Sequence, residues 1–287
     1  MTRYTSVLAV CVIAVLSVSS TSIVLADEAK GYRIGLTSVI FAEGTSFVND
    51  WRIYLANHLQ APVEIVQRRT YREVTDLLLA GDLDAAWLCG SPYLRHRDEL
   101  ELLNVPLFKG KPLYHSYIIV PSSDTKTQKL TDLKKKVFAY SDPDSNSGYL
   151  YPQLSLISLG IDPKHFFAKT FFTWSHRDVV KAVADGVAQG GAVDSYVWET
   201  LAEKDPELSK RTRVVDKSPK YGFPPLVVRR DLAQRRAENL RNVLIHMSSD
   251  NTGSKILQRL NLDGFVVGNE ALYDSIADSI RVVEKGI

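Results

Sequence analysis

Cysteine is almost absent from this sequence. Two cysteines occur in 287 residues, and Cys11 belongs to an N-terminal segment with the features of a cleavable signal, which leaves Cys89 alone in the mature chain. A single cysteine cannot close an internal disulfide, so an exported chain of this kind has to be held together by its hydrophobic core. About 260 residues are enough for such a core, as one large or two smaller α/β domains.

An excess of one charge and metal-binding motifs are lacking as well. The 35 basic and 33 acidic residues nearly balance at a formal net charge of +2, without basic tracts or an aromatic-basic stripe. Nucleic acid is therefore not the expected partner. Because no CxxC or HExxH spacing occurs, we expect neither a metal nor another cofactor.

Long hydrophobic runs are confined to the N-terminus. Residues 1–26 begin with a basic residue, Arg3, continue through the apolar run 7–16, and end in Ala26, which is the order of a secretory signal peptide cleaved before Asp27. The alternative, a retained membrane anchor, is disfavoured because the run is short and interrupted by Ser and Thr. We expect an exported, soluble mature protein.

Strand-like and helix-like segments alternate along most of the chain, which predicts sheets of mostly parallel strands covered by helices. The predicted strands are residues 32–37, 63–67, 85–88, 117–120, 137–140, 171–174 and 226–228. The predicted helices are residues 49–59, 71–80, 149–159 and 176–185, followed by three helical stretches after residue 228.

Two segments of the chain repeat the same pattern. Thr70 starts one helix that ends at Gly81, and Ser175 starts another that ends at Gly186 at the same offset. Each cap is followed three residues later by an acid, as in a capping box. The repeat predicts two similar lobes, although unrelated α/β helices also share such features. We place lobe 1 at residues 27–119 and 222–287 and lobe 2 at residues 120–221, with a hinge of two crossings.

Small polar residues cluster where a strand leads into a helix. Ligands of parallel sheets bind at the carboxyl ends of strands, where helix N-termini favour anions. Ser145, Asn146, Ser147 and Gly148 occupy such a place and suit a tetrahedral oxyanion, although an ordinary capped turn has the same composition. Asp194 ends a later strand, either as a ligand group or as a helix cap. Its carboxylate would repel a dianion unless the ligand carries an amine or a proton.

Further candidates lie at the same strand ends. Tyr71 and His176 hold matching first-turn positions in the two repeated helices, so a phenol and an imidazole would meet across the cleft. Cys89 and Tyr93 follow a buried strand, and Thr37 ends the first strand. The phenol of Tyr93 can donate to an oxyanion, whereas Cys89 is either a small buried residue or a soft ligand for a thiophilic solute.

Several segments together resemble the phosphonate/phosphite/phosphate-binding periplasmic components of ABC transporters. They are WLCGSPY at 87–93, YHSYIIVP at 114–121, SNSGYLYP at 145–152, SHRDVVKAV at 175–183 and FPPLVVRRDL at 223–232. GFV at 264–266 and Tyr273 are similar to the closing segment of that family. The resemblance covers nearly the whole mature chain.

This resemblance implies a two-lobed, type II periplasmic-binding-protein fold that closes on a small anionic ligand and delivers it to a membrane permease. It implies ligand contacts at Tyr71, Tyr93, Ser145, Ser147 and His176. A periplasmic monomer without enzymatic activity is the corresponding expectation.

Cys89 departs from the family pattern and leaves two alternatives open. Relatives with a cysteine in this loop include arsenite-binding proteins that report to a sensor histidine kinase, so sensing through Cys89 is the first alternative. The second is an enzyme with Cys89 as nucleophile and His176 as base. No oxyanion hole or orienting residue supports the enzyme in the sequence.

Overall fold

The computed structural model describes residues 31–38 and 44–286. The strands are β1 (Tyr32–Leu36), β2 (Val63–Gln67), β3 (Ala85–Trp87), β4 (Leu100–Leu107), β5 (Leu113–Tyr114), β6 (Ser116–Pro121), β7 (Val137–Tyr140), β8 (Lys169–Phe172), β9 (Gly190–Asp194), β10 (Thr212–Lys217), β11 (Tyr221–Gly222), β12 (Leu226–Arg229) and β13 (Gly264–Val267).

The helices are α1 (Gly44–Leu59), α2 (Tyr71–Leu79), α3 (Gly90–Arg95), α4 (Tyr151–Ile157), α5 (Pro163–Phe166), α6 (His176–Ala184), α7 (Ser195–Lys204), α8 (Pro206–Ser209), α9 (Gln234–His246), α10 (Asn251–Leu260) and α11 (Asp274–Gly286). A π-helical turn, Asn146–Leu150, precedes α4. Within the described ranges, no helix combines the length and the apolar character needed to cross a bilayer. The predicted signal peptide, residues 1–26, lies outside these ranges.

Two larger sheets repeat one strand order. The first runs β2-β1-β3-β12-β4-β13 and the second β8-β7-β9-β6-β10. In each sheet, the strand that arrives from the other lobe, β12 or β6, lies between the third and the fourth strand of the local series. The prediction of two similar α/β lobes is therefore confirmed.

Both sheets are mixed, which corrects the prediction of mostly parallel strands. Parallel pairing is limited to β1 with β2 and β3, and to β7 with β8 and β9. Strand β12 is antiparallel to β3 and β4, and β6 is antiparallel to β9 and β10. The reason is the crossing: β6 starts at the hinge and runs away from the cleft, whereas the parallel strands run towards it.

The two crossings lie side by side. Tyr114 of β5 pairs with Tyr221 of β11, and the backbone N–H of Ser116 donates to the Ser218 hydroxyl at 2.8 Å. All of β6 lies in the second sheet, so the boundary predicted after residue 119 falls inside a strand. We propose that lobe 2 begins at Ser116, because the change of sheet occurs there.

The repeated helices follow the predicted pattern closely. Thr70 caps α2 with a complete capping box, and Ser175 caps α6 through its hydroxyl. Gly81 and Gly186 both have positive φ angles, of 84° and 72°, which glycine adopts without steric cost. Each helix therefore ends where the sequence predicted, and its N-terminus lies at the same edge of its own sheet.

Candidate functional site

The lobes touch each other at the carboxyl ends of their parallel strands. The backbone N–H of Tyr71, at the start of α2, donates to Asp142 Oδ2 of lobe 2 at 3.0 Å. The backbone N–H of Asn146 donates to the Sγ of Cys89 in lobe 1 at 3.3 Å. The structure therefore represents a closed arrangement in which Tyr71 and Cys89 of lobe 1 meet the loop after β7 of lobe 2.

The loop after β7 is folded tightly around Gly148. Ser145 Oγ accepts the backbone N–H of Gly148 at 2.9 Å, and the carbonyl of Ser147 accepts the hydroxyl of Ser116 at 2.6 Å. A Cβ atom on Gly148 would lie 1.8 Å from Ser141 Oγ and 3.1 Å from the His176 ring. Glycine is needed there because the loop, β7 and the start of α6 approach so closely.

His176 is a neutral hydrogen-bond donor. Its ring is fully buried, and burial lowers its pKa to about 3. Nδ1 lies 3.1 Å from the backbone N of Asp194, whose N–H it can accept as the neutral imidazole. This contact assigns the ring proton to Nε2, which has no hydrogen-bond partner in the described part of the chain.

Asp194 uses its two carboxyl oxygens differently. Oδ1 caps α7 by accepting the backbone N–H of Tyr196 at 2.7 Å. Oδ2 is buried without a partner among the described residues. Burial raises the pKa of this carboxyl well above its usual value, because charge is costly away from water. Asp194 therefore has the predicted capping role through Oδ1, and its Oδ2 can accept a hydrogen bond from a further donor.

Several other buried polar atoms at this contact lack a well-formed hydrogen bond among the described residues: Tyr71 OH, Ser141 Oγ, Asn146 Oδ1 and Ser147 Oγ. Weaker contacts exist, since Ser145 lowers the pKa of Tyr71 and Ser147 lowers that of Tyr114. Leaving a buried polar atom unpaired costs about 1–3 kcal/mol. Their concentration at one place indicates a site that binds a polar ligand.

Two tyrosines complete the cluster. Burial raises the pKa of Tyr71 far above its ordinary value, and Cys89, Asp142 and Asp194 raise it further. Burial also raises the pKa of Tyr114, and Cys89 and Asp194 raise it further. The Tyr114 hydroxyl accepts a hydrogen bond from the side-chain amide of Asn146 at 2.9 Å. Both phenols are therefore neutral and able to donate. Tyr114 was not among the residues predicted for the site.

Cys89 is a neutral thiol at the base of the contact. It is buried at the start of α3, and burial raises its pKa to about 11. Its sulfur accepts from Asn146, while the Nδ1 of His176 contacts the backbone of Asp194. In the described chain the two side chains share no hydrogen bond, so the arrangement does not favour the thiolate that a nucleophile requires.

Tyr93 does not join the cluster, which corrects its predicted position. Its ring lies in the interior of lobe 1, edge-on to Tyr273 with centroids 5.4 Å apart. The charged groups that influence its pKa are outside the cleft and include Glu270 and Arg97. A partner from the end of the chain determines this orientation, which is why the local sequence did not reveal it.

Thr37 has a connecting role in the structure. Its Oγ1 donates to the carbonyl of Trp87 at 2.8 Å and so ties the end of β1 to the end of β3. Ser141 and Asp142 were missed, although they directly follow the predicted strand 137–140 and thus lie at the expected edge of a parallel sheet. The same strand-end rule applied to every strand would have found them.

The cluster defined by Tyr71, Cys89, Tyr114, Asp142, Ser145, Asn146, Ser147, His176 and Asp194 is called the cleft cluster below. It contains no lysine or arginine. Across the described ranges, no group of three or more His, Cys, Asp or Glu side chains is arranged to hold a metal ion. The polar groups that the cleft cluster offers are therefore neutral donors and carboxyl oxygens.

Two equivalent lobes that meet over a buried polar cluster define a two-lobed solute-binding protein of the type II fold. Residues 43–273 match the family model described as ABC transporter, phosphonate, periplasmic substrate-binding protein. The chain belongs to this family.

Individual relatives agree with this assignment. The chain is 24% identical over 245 residues to a probable ABC transporter phosphite binding protein of Prochlorococcus marinus, covering 80% of this chain and 82% of the relative. The crystal structure of a binding protein component of an ABC phosphonate transporter from Pseudomonas aeruginosa has a TM-score of 0.81 and 22% identity, covering 90% of this chain and 88% of that chain.

A structure of the Prochlorococcus marinus protein PhnD1 in complex with methylphosphonate is also similar. Its TM-score is 0.78 at 21% identity, and the match covers 89% of this chain and 99% of that chain. At this identity the solved structures establish the shared fold. The comparisons give no support to the arsenite-sensor alternative.

Proposed function

We propose that this protein captures a small phosphorus oxyanion, such as a phosphonate, phosphite or phosphate, in the periplasm and delivers it to the permease of an ABC transporter. The observation that carries this proposal is the cleft cluster, where both lobes contribute buried polar atoms. His176 Nε2, an unpaired donor, is its clearest anion-binding feature. Family membership supports the transport role.

In this proposal, the contacts that form when the lobes close supply the binding free energy. The ligand would exchange its hydration shell for the hydroxyls of Ser147 and Tyr71 and for the imidazole N–H of His176. Only the closed state brings these groups together, so the ligand has a higher affinity for that state and shifts the population towards it. The protein then captures the ligand when the lobes close about the hinge, and it releases the ligand when they open.

A binding role without turnover fits the chemistry of the cleft cluster better than catalysis does. Cys89, with its pKa raised to about 11, would have to lose a proton at a high cost before it attacked a substrate. His176, with its pKa lowered to about 3, is a weak base. We therefore propose that the ligand leaves chemically unchanged.

Titration calorimetry with methylphosphonate, phosphite and phosphate tests this function. We expect the wild type to bind at least one of them, and Ser147→Ala and His176→Ala to weaken binding by about 10- to 100-fold, because each loses a hydrogen bond to a charged group. Tyr93→Phe is the matched control and should keep the wild-type Kd. A folded wild type that binds none of the three ligands would refute the proposal.

A further inference from the structure

A hydrogen-bond donor and an acceptor lie together in the cleft cluster. His176 Nδ1 accepts the backbone N–H of Asp194 at 3.1 Å, so the imidazole is held against the residue that carries the carboxyl. His176 Nε2 and Asp194 Oδ2 are buried and have no partner among the described residues. The neutral imidazole can only donate through Nε2–H, and an ionised carboxylate can only accept. A ligand that pairs with both atoms must accept a hydrogen bond from His176 Nε2. It must also share a proton with Asp194 Oδ2.

In the part of the chain that the structure describes, no lysine or arginine is among the groups that shift the pKa of Asp194. Within the described ranges, the titratable side chains that interact with Asp194 are those of Tyr71, Cys89, Tyr114, Tyr117 and Glu199, and the His176 ring contacts its backbone. Asp142 acts together with Asp194 on Tyr71 and Cys89, where both carboxyls raise the pKa. The ammonium group of Lys109 donates to the Glu199 carboxylate at 2.5 Å. A doubly charged oxyanion beside an ionised Asp194 would therefore meet repulsion that no positive side chain of the described residues offsets at Asp194.

We propose that the site holds its oxyanion together with one proton, shared between Asp194 Oδ2 and an oxygen of the ligand. This inference rests on the proposed function and specifies the ligand class: oxyanions with at least one oxygen that can carry a proton. The proton comes from a singly protonated ligand, from the protonated carboxyl, or from solvent when both are ionised. No covalent bond to phosphorus is made or broken.

The burial of Asp194 also favours a proton at the site. Its pKa is raised chiefly by desolvation, so the carboxyl retains a proton to a higher pH than an exposed aspartate does. Binding is then complete at pH values where the carboxyl and ligand hold one proton between them. Binding weakens as the pH rises, because the carboxyl and the ligand both lose the proton.

Proton uptake on binding provides the direct test. Calorimetry of methylphosphonate binding in buffers of different ionisation enthalpy measures the number of protons taken up. At alkaline pH, where ligand and carboxyl are both ionised, we expect uptake of about one proton per ligand and a Kd that rises about tenfold per pH unit. Absence of proton uptake by a wild type that binds the ligand would overturn the inference and leave the proposed function intact.

Asp194→Asn is the informative variant. Asparagine is a good helix N-cap, so its amide oxygen preserves the start of α7, and its N–H₂ group can donate to a dianion. We expect it to bind methylphosphonate without proton uptake and with a flat pH profile. Tyr93→Phe, which changes a side chain outside the cleft cluster, is the control and should retain the wild-type proton uptake.

A comparison of ligands separates proton sharing from recognition of an amine. If Asp194 instead accepts an ammonium group, Asp194→Asn would weaken binding of aminomethylphosphonate and leave the pH profile of methylphosphonate unchanged. That result would overturn the inference. Failure of the wild type to bind any oxyanion would instead refute the proposed function, so the two failures are distinguishable.

Discussion

Burial keeps the imidazole, the thiol and the two phenols of the cleft cluster uncharged. It lowers the pKa of His176 to about 3 and raises that of Cys89 to about 11, in each case because the charged form loses its hydration. Nearby backbone N–H groups, such as that of Asn146 on the Cys89 sulfur, oppose this effect without reversing it. A cluster of neutral donors can accept an anion without first breaking internal ion pairs.

The reactivity of Cys89 tests this picture at the level of one residue. Because the thiol is buried and neutral, we expect iodoacetamide to alkylate the folded protein slowly at mildly alkaline pH, and methylphosphonate to slow the reaction further by favouring closure. Mass spectrometry of timed samples measures the rate, and the urea-unfolded chain provides the fully reactive control. Rapid alkylation that methylphosphonate does not affect would contradict the placement of Cys89 at the lobe contact.

At the level of elements, two capped helices place Tyr71 and His176. The hydroxyl of Thr70 accepts the backbone N–H of Glu73 at 3.2 Å, and the Glu73 carboxylate accepts the backbone N–H of Thr70 at 2.9 Å. At Ser175 the corresponding side-chain contact, to Asp178, is longer, at 3.4 Å. The first helix therefore starts with two strong cap bonds and the second with one weaker one.

Removal of the two caps should have unequal effects. We expect Thr70→Ala to lower the free energy of unfolding by about 1 kcal/mol and Ser175→Ala by less, because a cap contributes according to the bonds it makes. Urea denaturation of both variants beside the wild type measures the difference. An equal or larger loss in Ser175→Ala would show that the cap geometry does not determine the stability of these helices.

Local patterns were sufficient to predict these helices and much of the site. Caps and glycine ends are encoded within a dozen residues, and Ser145 and Ser147 follow a strand, so both could be placed by the strand-end rule. Long-range pairing was not predictable in the same way. Strands β4 and β13 were missed, because each is defined by antiparallel partners distant in sequence. Tyr114 was also missed, because its role depends on a contact with Asn146 across the hinge.

For the whole molecule, the closed arrangement depends on many modest contacts around the cleft cluster. Arg72 and Arg95 of lobe 1 lie 3.4 Å and 3.5 Å from the Asp144 carboxylate of lobe 2. The Ser38 hydroxyl donates to the carbonyl of Trp174 at 2.8 Å. Partly exposed ion pairs contribute only about 0–1 kcal/mol each. Closure can therefore be reversible, with the bound ligand supplying the decisive part of its free energy.

A crystal structure of the protein with methylphosphonate is the most direct test of the central claim that both lobes enclose an oxyanion at the cleft cluster. The account predicts phosphonate oxygens within about 2.7–3.2 Å of Ser147 Oγ, His176 Nε2 and Asp194 Oδ2, with the lobes closed as described. Methylphosphonate bound elsewhere, or bound to one lobe while these three atoms remain without ligand contacts, would contradict it.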